Sequence, residues 1–504
     1  MTLRSVIVNL AAALMSVYLL RHLFGCSSSS KNTTKAPENP TSSPGDMQVQ
    51  GFTTTPTGKK WSPMVARVSG GAAGSPKVKV KTDAVDDWPI IGFGGSVPEM
   101  PGWTMGNLSL SEEQRQPFFD MYFGDDGARY NFLRLCIHTT FDDYTFADVP
   151  DDFNLDHFDY NVTGDRENYK FQTVKKVQEM VPDLTIIGSA WSPPSWMKLG
   201  DHSMDGSPNP CLKRDPRYHQ VWAKYLVTWV DAYERLGVPI WAITQQNEPQ
   251  NYFTQDWATC IFEPEAQLAF IRDHLGPAMK AANKSTKLFF NDDVKTFLPD
   301  VAKLVLEDEV AAKFVDGAAV HWYTFDQYAA LKGYKEKYLD KYLLISTEAT
   351  NSDPSVQLEY VTDWDRAMHY VHGTIVDFVH GGSTVFMDWS MAGDRDLVTV
   401  HDNGTIRLNT PYYTFGQITK YFKPGYSVLT SLNVINPGQQ ADGTFPAGIE
   451  AMAAINPSRT EIVIVVLCDD RHESNATVAE LLIELDLGGG RYSTIALKDV
   501  EQRS

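Results

Sequence analysis

Two glutamates stand at positions where their side chains could take part in one reaction. Glu248 closely follows the apolar run 238–244, and Glu348 follows the apolar run 342–345. Short apolar runs that end in polar residues predict buried parallel strands. A carboxylate one or two residues past such a strand lies on the face where α/β barrels place their chemistry. A glutamate at a strand end is otherwise a solvated rim residue or an ion-pair partner, so the residues around it must decide.

Glycoside hydrolysis is the chemistry that two such carboxyl groups suit. One carboxyl protonates the departing oxygen while the other attacks the anomeric carbon, and in that retaining arrangement they stand about 5–5.5 Å apart. The acid must hold its proton until the sugar oxygen needs it, whereas the nucleophile must be ionised. We therefore expect opposite strand ends of a small barrel to bring these glutamates together.

The elements that would position the glutamates alternate along the middle of the chain. Helical spacing is clearest over residues 218–236, and helices are also predicted near 264–282, 300–315 and 356–380. Eight strand-like runs separate such segments, namely IIGFGG, YNFLRLCIH, DLTIIGSAW, VPIWAIT, TKLFFND, GAAVHWY, YLLIST and STVFMDW. Eight β/α units are what a closed (β/α)8 TIM barrel needs.

The sequence on either side of the barrel has a different character. Residues 61–88 and 421–504 alternate apolar and polar positions between turn residues, which predicts strands. The simplest arrangement is a catalytic barrel over 89–420 inserted into a β-sandwich that the N- and C-terminal strands build together. Residues 26–60, rich in Ser, Thr and Pro, are predicted to be a disordered linker.

Residues 1–25 indicate entry into the secretory pathway. An apolar stretch over 6–20 follows Arg4, which is typical of a cleaved signal peptide or a signal anchor. The stretch is shorter than the roughly 20 residues of a spanning helix, which favours cleavage. Six N-x-[ST] sequons, at Asn32, Asn107, Asn161, Asn283, Asn403 and Asn475, agree with that route. A lysosome, a vacuole or the extracellular space is the expected destination, with membrane anchoring as the alternative.

Charge and cysteine content exclude several classes of function. The net charge is −19 and the isoelectric point is near 5.0, whereas a nucleic-acid-binding protein needs clustered Lys and Arg. Five cysteines are too few for a disulfide scaffold and lack metal-ligand spacing. Cys211 and Cys260 fall in loops beside the predicted fourth strand, where they either pair or remain separate thiols. Asp292 and Asp293 are adjacent and so point to different sides of a strand, which argues against a metal site.

Several motifs around the strand ends carry a resemblance to a known family. They are GFGG, SAWSPPSWMK, WAITQQNEP, AVHWY, ISTEA and MDW, in that order. Together they resemble glycoside hydrolase family 30. YTFADVPDDFNL and YHQVWAKYLVTWVDAY add a similarity to the glucosylceramidase branch of that family. The resemblance covers about residues 90–426 and implies a retaining β-glycosidase that needs no cofactor.

The resemblance also implies roles for individual residues. Glu248 would be the general acid/base, with a raised pKa, and Glu348 the ionised nucleophile. Asn247 would bind the 2-hydroxyl of the sugar, where its alternative is to cap a turn. Arg134 and Tyr323 would hydrogen-bond the nucleophile and keep it charged.

Other residues would line the glycone pocket. Trp191 and Trp389 would stack on the sugar and Asp388 would hold its hydroxyl groups, although aromatic residues at strand ends often belong only to the core. His321 is either an active-site residue or a hydrogen-bonded core histidine.

The chain departs from the glucosylceramidase pattern in two places. Glu99 stands in place of an aspartate after GFGG, which leaves its grip on the distal hydroxyls open. The loop after Trp389 lacks a Gly-Gly-Pro-Asn-Trp segment, which puts the ceramide leaving group in doubt.

Glucosylceramide is nevertheless the expected substrate, with a membrane surface or an activator protein as a further partner. The alternatives are a β-1,6-glucanase, another exo-β-glucosidase or a β-xylosidase, because one barrel and one pair of glutamates serve them all. A catalytically silent carbohydrate-binding protein is the alternative from a different class. Such a protein would be expected to lose at least one of Glu248, Glu348, Asn247, Arg134 and Tyr323.

Overall fold

The structure is a computed structural model of the chain. It describes residues 5–12, 16–21, 49–55, 60–64, 66–68, 77–97, 111–140, 144–200, 203–252, 256–324, 326–350, 362–392, 397–401, 404–430, 432–433, 448–469, 480–487 and 492–498. The chain divides into two compact units. One comprises Met1–Ile90, Ala367–Val379 and Tyr413–Ser504, and the other comprises Ile91–Arg366 and His380–Tyr412.

The second unit contains a closed barrel of eight parallel strands. In chain order they are β8 (Gly92–Val97), β9 (Phe132–Ile137), β10 (Thr185–Ala190), β11 (Ala242–Thr244), β12 (Lys287–Val294), β13 (Gly317–His321), β14 (Leu343–Glu348) and β15 (Val385–Asp388). Each strand pairs with its neighbours in sequence, and β15 pairs with β8 to close the ring. Each of the eight apolar runs overlaps one barrel strand, so the sequence-based prediction of a TIM barrel is confirmed.

Helices connect the barrel strands. The α-helices are α1 (Glu112–Phe123), α2 (Thr163–Glu167), α3 (Lys170–Met180), α4 (Pro216–Arg235), α5 (Pro264–Phe270), α6 (Gly276–Ala281), α7 (Leu298–Glu307), α8 (Tyr328–Tyr338), α9 (Asp363–Ile375) and α10 (Thr410–Tyr421). Short 3-10 helices lie at Ser195–Met197 and Ala311–Lys313, and π-helical turns at Ile271–Leu275 and Val376–Gly381.

Helix α4 shows how the sequence specifies one of these elements. The side chain of Asp215 caps its first turn by accepting the N–H of Arg217, and Pro216 occupies the first helical position, where no N–H is needed. The predicted apolar stripe is buried, with Trp222 and Trp229 fully enclosed. The helix ends before Gly237, whose φ of +78° is a left-handed conformation that favours glycine.

The first unit contains two sheets, and each combines strands from before and after the barrel. The N-terminal strands are β1 (Ser5–Ala12), β2 (Ser16–Arg21), β3 (Val49–Thr54), β4 (Ser62–Met64), β5 (Ala66–Val68), β6 (Lys77–Lys81) and β7 (Val85–Pro89). The C-terminal strands are β18 (Ser427–Leu429), β19 (Leu432–Asn433), β20 (Gly448–Ile455), β21 (Glu461–Asp469), β22 (Glu480–Asp486) and β23 (Tyr492–Lys498). A short hairpin of β16 (Val398–Val400) and β17 (Ile406–Leu408) follows the barrel in the second unit.

The pairing of these strands explains why both ends of the chain are needed. The eight-stranded sheet has the order β4-β3-β1-β2-β21-β20-β18-β7, and the five-stranded sheet has the order β19-β6-β22-β23-β5. Strand β6 pairs in parallel with β22 across about four hundred positions of sequence, from Lys77 paired with Leu482 to Lys81 paired with Asp486. The prediction of a side domain built from N- and C-terminal strands is therefore confirmed.

The predicted linker over 26–60 must be shortened at its C-terminal end. Residues 49–54 form β3, in which the ring of Phe52 stacks on Tyr421 at 5.7 Å and Thr54 donates a hydrogen bond to Gln417. These few contacts were not visible in a composition dominated by small polar residues. Residues 22–48 lie outside the described part of the chain.

The N-terminal segment is placed in strands β1 and β2, which pair with each other and with β21. That placement does not address whether residues 1–25 are cleaved, so the signal or anchor stays a prediction. Within the described residues, none of the helices combines the length and apolarity that crossing a bilayer requires.

Candidate active site

A buried carboxylate, Asp292 on β12, lies at the centre of the hydrogen bonds inside the barrel mouth. Its oxygens accept hydrogen bonds from the hydroxyls of Thr244 and Thr347, both at 2.7 Å, and from Ser189. These hydroxyl residues lie on β10, β11 and β14, so Asp292 joins strands from opposite sides of the ring. Such convergence at the C-terminal ends of strands is where barrel enzymes hold their catalytic groups.

Arg134 on β9 connects this centre to Glu348 at the end of β14. Its guanidinium donates to Glu348 Oε2 at 2.6 Å, to Asn247 Oδ1 at 2.7 Å and to Asp292 Oδ2 at 3.0 Å. The arginine side chain is fully buried. Tyr323 donates its hydroxyl to the other oxygen of Glu348 at 2.9 Å. Both oxygens of Glu348 thus accept hydrogen bonds from side chains, and the donors are Arg134 and Tyr323.

Glu248 occupies the turn that follows β11. Its Oε2 accepts a hydrogen bond from the amide of Asn251 at 2.7 Å, and its Oε1 lies 3.1 Å from Nδ1 of His321. The preceding residue, Asn247, is held by Arg134 and by its own N–H, which donates to the carbonyl of Ala190 at 2.8 Å. The amide oxygen of Asn247 therefore has a side-chain partner within the site, rather than only capping a turn.

His321, at the end of β13, links the two glutamates. Its Nε2 lies 3.2 Å from Asp292 Oδ1 and 3.8 Å from Glu348 Oε2, while Nδ1 faces Glu248. The ring is fully buried. Of the two alternatives left open for this histidine, the structure places it among the catalytic candidates.

The charges of this cluster shift the pKa of every member. Burial opposes the charged form of His321, but Glu348 and the neighbouring carboxylates raise its pKa to about 10. Burial likewise opposes ionisation of Asp292, yet Arg134 and His321 hold the pKa of Asp292 well below its usual range. Burial also works against the guanidinium, but Asp292 and Glu348 raise the pKa of Arg134. Two cations therefore lie among three carboxylates.

The two glutamates differ from the sequence-based expectation. Burial would raise the pKa of Glu248, but hydrogen bonding to His321, the charge of His321 and the amide of Asn251 lower it. Burial raises the pKa of Glu348 in spite of His321 and Arg134. The directions of the two pKa shifts are thus the reverse of the predicted ones. The contact between His321 and Glu248 was not visible in the sequence.

An aromatic surface lies beside the charged cluster. The rings of Trp191, after β10, and Trp389, after β15, are 5.2 Å apart, and the Arg134 guanidinium lies 4.7 Å from the first and 5.8 Å from the second. Asp388, the last residue of β15, is fully buried next to Trp389. The structure thus brings both predicted tryptophans to the site, and Glu99 lies outside the described residues.

A buried lysine fastens the loops behind Trp191. The ammonium group of Lys198 donates to the carbonyls of Gly206 at 2.6 Å, Met204 at 2.7 Å and Thr259 at 3.0 Å. Cys211 and Cys260 form a disulfide between the same loops, which decides the alternative left open for them. Met204 packs in one buried cluster with Trp191, so these cross-links support the aromatic surface.

The carboxylates and the imidazole could also be considered as metal ligands. The ligand atoms of Glu248, His321 and Glu348 all lie within 4.8 Å of one another. Both ring nitrogens of His321 face carboxylate oxygens, Nδ1 that of Glu248 at 3.1 Å and Nε2 that of Asp292 at 3.2 Å. Because these contacts occupy both nitrogens, we interpret the group as an ion-pair network.

Sequence reasoning missed two members of the site. Asp292 was considered as a rim residue, although it receives hydrogen bonds from four strands, and Asn251 was not considered. The position of Asp292 near the end of a predicted strand was the available signal for the first. Asn251 had no such signal, because only the fold of the turn brings its amide to Glu248.

The family is decided by a match over the barrel. Residues 90–398 match the model of the glycosyl hydrolase family 30 TIM-barrel domain, which is more than half of the chain. The chain belongs to glycosyl hydrolase family 30. It is therefore a glycoside hydrolase, and the motifs that carried the resemblance lie within the matched region.

The proteins that this chain resembles carry different activities in their names. The chain is 28% identical to the lysosomal acid glucosylceramidase of Mus musculus over 427 residues, which covers 79% of this chain and 78% of the relative. It is 27% identical to the endo-1,6-beta-D-glucanase BGN16.3 of Trichoderma harzianum over 456 residues, covering 85% and 89%. The crystal structure of SrfJ from Salmonella typhimurium superposes with a TM-score of 0.68 at 22% identity, covering 87% of this chain and 96% of SrfJ, and shows the shared fold.

Proposed function

We propose that this family 30 enzyme is a retaining β-glycosidase that releases glucose from glucosylceramide. The observation that carries the retaining mechanism is the closeness of the two carboxyl groups. Ligand oxygens of Glu248 and Glu348 lie within 4.8 Å of each other, whereas an inverting pair needs about 6.5–9.5 Å to admit a water molecule between acid and base.

The contacts of the two glutamates support different roles for them. Glu348 accepts hydrogen bonds from Arg134 and Tyr323, which stabilise a carboxylate and orient it. Glu248 sits on a turn with an amide and an imidazole as partners, and its carboxyl is partly exposed to the cleft. Glu348 is therefore proposed as the nucleophile and Glu248 as the general acid/base.

The proposed reaction proceeds in two displacements. Glu348 forms a bond to the anomeric carbon while the glycosidic bond breaks, and the proton of Glu248 goes to the departing oxygen. Glu248, now ionised, takes a proton from a water molecule, and that water displaces Glu348 from the sugar. The sugar is released with its original anomeric configuration, and both carboxyls return to their starting state.

Residues around the glutamates are assigned to sugar binding. The amide of Asn247 is positioned by Arg134 and is proposed to contact the 2-hydroxyl, an interaction that strengthens in the transition state. Trp191 and Trp389 would stack on the glycone, and Asp388 and Glu99 would bind its distal hydroxyls. Tyr323 and His321 stay in the site as partners of Glu348 and Glu248.

The glucosylceramide assignment rests on the similarity to the mouse enzyme and on the motifs of the glucosylceramidase branch. A β-1,6-glucanase is the second candidate, because the similarity to the Trichoderma enzyme covers as much of the chain. A lipid substrate would bring a membrane surface or an activator protein as a partner. The disulfide, together with exposed sequon residues Asn161 and Asn283, supports a secretory route to a lysosome, a vacuole or the exterior.

Hydrolysis of three substrates side by side tests the proposal. The purified enzyme is incubated at about pH 5 with glucosylceramide in detergent, with a β-1,6-glucan and with an aryl β-glucoside. Glucose release from the lipid, lost in Glu348→Gln, is the expected result. Turnover of the glucan alone would replace the substrate, and turnover of none of the three would indicate a different glycone. Proton NMR of the first product tests retention, since release of the α-anomer would rule out the double displacement.

A further inference from the structure

The turn that carries Glu248 is held in a conformation that glutamate rarely adopts. Its φ is +41°, in the left-handed region, which is disfavoured for a residue with a Cβ. The N–H of Glu248 donates to the carbonyl of Asp292 at 2.9 Å, and the N–H of Asn251 returns to the carbonyl of Glu248 at 3.0 Å. A strained turn persists only where surrounding contacts hold it in place. The contact that holds Gln250, which lies between Glu248 and Asn251, is therefore important.

Asp293 supplies that contact. Its Oδ2 accepts the N–H of Gln250 at 2.8 Å, and its Oδ1 accepts the N–H of Val294 at 2.7 Å. The side chain is almost completely buried, with 2% of the residue exposed. One carboxyl group therefore ties the Glu248 turn to the end of β12.

An irregularity in β12 makes this arrangement possible. The pairing of β12 with β13 shifts register between Asn291 and Asp293, and both Asn291 and Asp292 have positive φ, at +69° and +47°. Asp292 consequently faces the Arg134 and His321 network, while Asp293 faces the turn. Bulges of this kind re-aim side chains next to active sites.

The surroundings of Asp293 favour its neutral form, which suits a position beside Glu248. Burial and the charge of Glu248 raise the pKa of Asp293 to about 8, against the opposing effects of His321 and the two N–H groups. Tyr252, which follows the turn, is a further titratable group that senses its charge. Under acidic conditions Asp293 is therefore neutral and accepts its hydrogen bonds without adding a second negative charge beside Glu248.

We propose that Asp293 is a positioning residue for the proton-transfer step, which it serves by holding the Glu248 turn through the N–H of Gln250. This inference rests on the proposed role of Glu248 as general acid/base. Loss of Asp293 should leave the attack of Glu348 intact and should misplace the proton donor. The variant should then show the same kind of kinetic defect as Glu248→Gln, but a smaller one.

The dependence of rate on the leaving group separates these effects. A phenyl β-glucoside needs protonation of its departing oxygen, whereas 2,4-dinitrophenolate leaves without it. For Asp293→Ala we expect kcat/KM to fall by about 100-fold on phenyl β-glucoside and by less than about threefold on the dinitrophenyl substrate. Asp293→Asn retains one acceptor oxygen and should show a smaller loss of the same kind. Added azide, which attacks the glycosyl-enzyme without a base, should raise kcat of both variants.

Asp316→Asn is a matched control. Asp316 also accepts a backbone N–H of β12, that of Leu288 at 3.0 Å, but at the start of the strand. This variant should change thermal stability without changing the ratio of the two rates. Equal losses on both substrates in Asp293→Asn, or unchanged rates on both, would overturn the inference. Failure of the wild-type enzyme to hydrolyse the dinitrophenyl glucoside would instead reject the proposed function, and the inference with it.

Discussion

Replacement of His321 by asparagine is expected to move the pH profile of hydrolysis to higher pH. The imidazolium lies 3.1 Å from Glu248 and 3.8 Å from Glu348, and burial prevents water from screening it. A positive charge favours the ionised form of a carboxyl group, so it lowers the pKa of both glutamates. An asparagine can still donate a hydrogen bond but carries no charge, and both pKa values should therefore rise.

The size of the shift follows from the distances. Two unit charges about 4 Å apart interact by about 4 kcal/mol at an effective dielectric constant of about 20, which corresponds to about 3 pKa units. Rearrangement and entry of water into the variant will reduce this figure, so we expect a shift of at least about 1 unit. The proposed mechanism needs one glutamate ionised and the other protonated, so the wild-type profile should be bell-shaped. Both limbs should move upward in the variant.

The assay is kcat/KM for an aryl β-glucoside, measured at closely spaced pH values for both proteins. His372→Asn is the matched control, since His372 is also buried against a glutamate, with Nδ1 2.8 Å from Glu450 Oε2, but lies in the unit without the barrel. Profiles of His321→Asn that superpose on the wild type would refute a charged His321.

Thermal stability provides a second measurement on the same proteins. The pKa of His321 is raised from 6.5 to about 10 on folding. Its stabilising contribution is therefore fully present below about pH 6.5 and is lost as the pH rises toward 10. The difference in Tm between wild type and His321→Asn should shrink over that range.

Three further predictions concern single contacts. Tyr323→Phe removes the hydroxyl that donates to Glu348 at 2.9 Å. It should lower kcat/KM by about tenfold or more with little change in Tm, because hydrogen bonds to charged groups contribute about 1.5–3 kcal/mol. Unchanged kinetics would contradict that contact. Lys198→Met removes the donor to the buried carbonyls of Gly206 and Thr259, whereas the carbonyl of Met204 keeps the N–H of Thr259. The variant should lower the free energy of unfolding in urea by about 2–4 kcal/mol, and an unchanged midpoint would show that water replaces the amine. Serine at both Cys211 and Cys260 opens a loop with a sequence separation of 49, and should cost up to about 4 kcal/mol. Reduction of the wild-type protein should reproduce that loss, and a reduced protein as stable as the oxidised one would speak against it.

Much of the barrel could be predicted from the sequence, because its strands are buried on both faces. Such strands are continuous apolar runs, and each ends in the polar residues that face the barrel mouth. Glu248 and Glu348 could be located for that reason, whereas Arg134, Tyr323 and the tryptophans were identified through the family resemblance. The strands of the side domain were also visible, since alternation of apolar and polar residues is a local signal.

The partners of those residues were decided by tertiary structure alone. Strand β6 pairs with β22 although they are about four hundred positions apart, and the disulfide joins two loops whose cysteines could equally have stayed free. Neither pairing has a local signal. The end of the predicted linker was misplaced for the same reason, because β3 is stabilised by distant residues such as Tyr421.

The protonation of the site depends on tertiary structure most of all. The sequence determined that two glutamates stand at strand ends, and thereby the class of chemistry. It did not determine which of them meets His321, because that contact depends on the turn after β11 and the irregularity in β12. Coulomb interactions change steeply over a few ångströms in a buried site. The sequence locates a titratable group only to within a loop, so the pKa of that group is decided by the folded barrel.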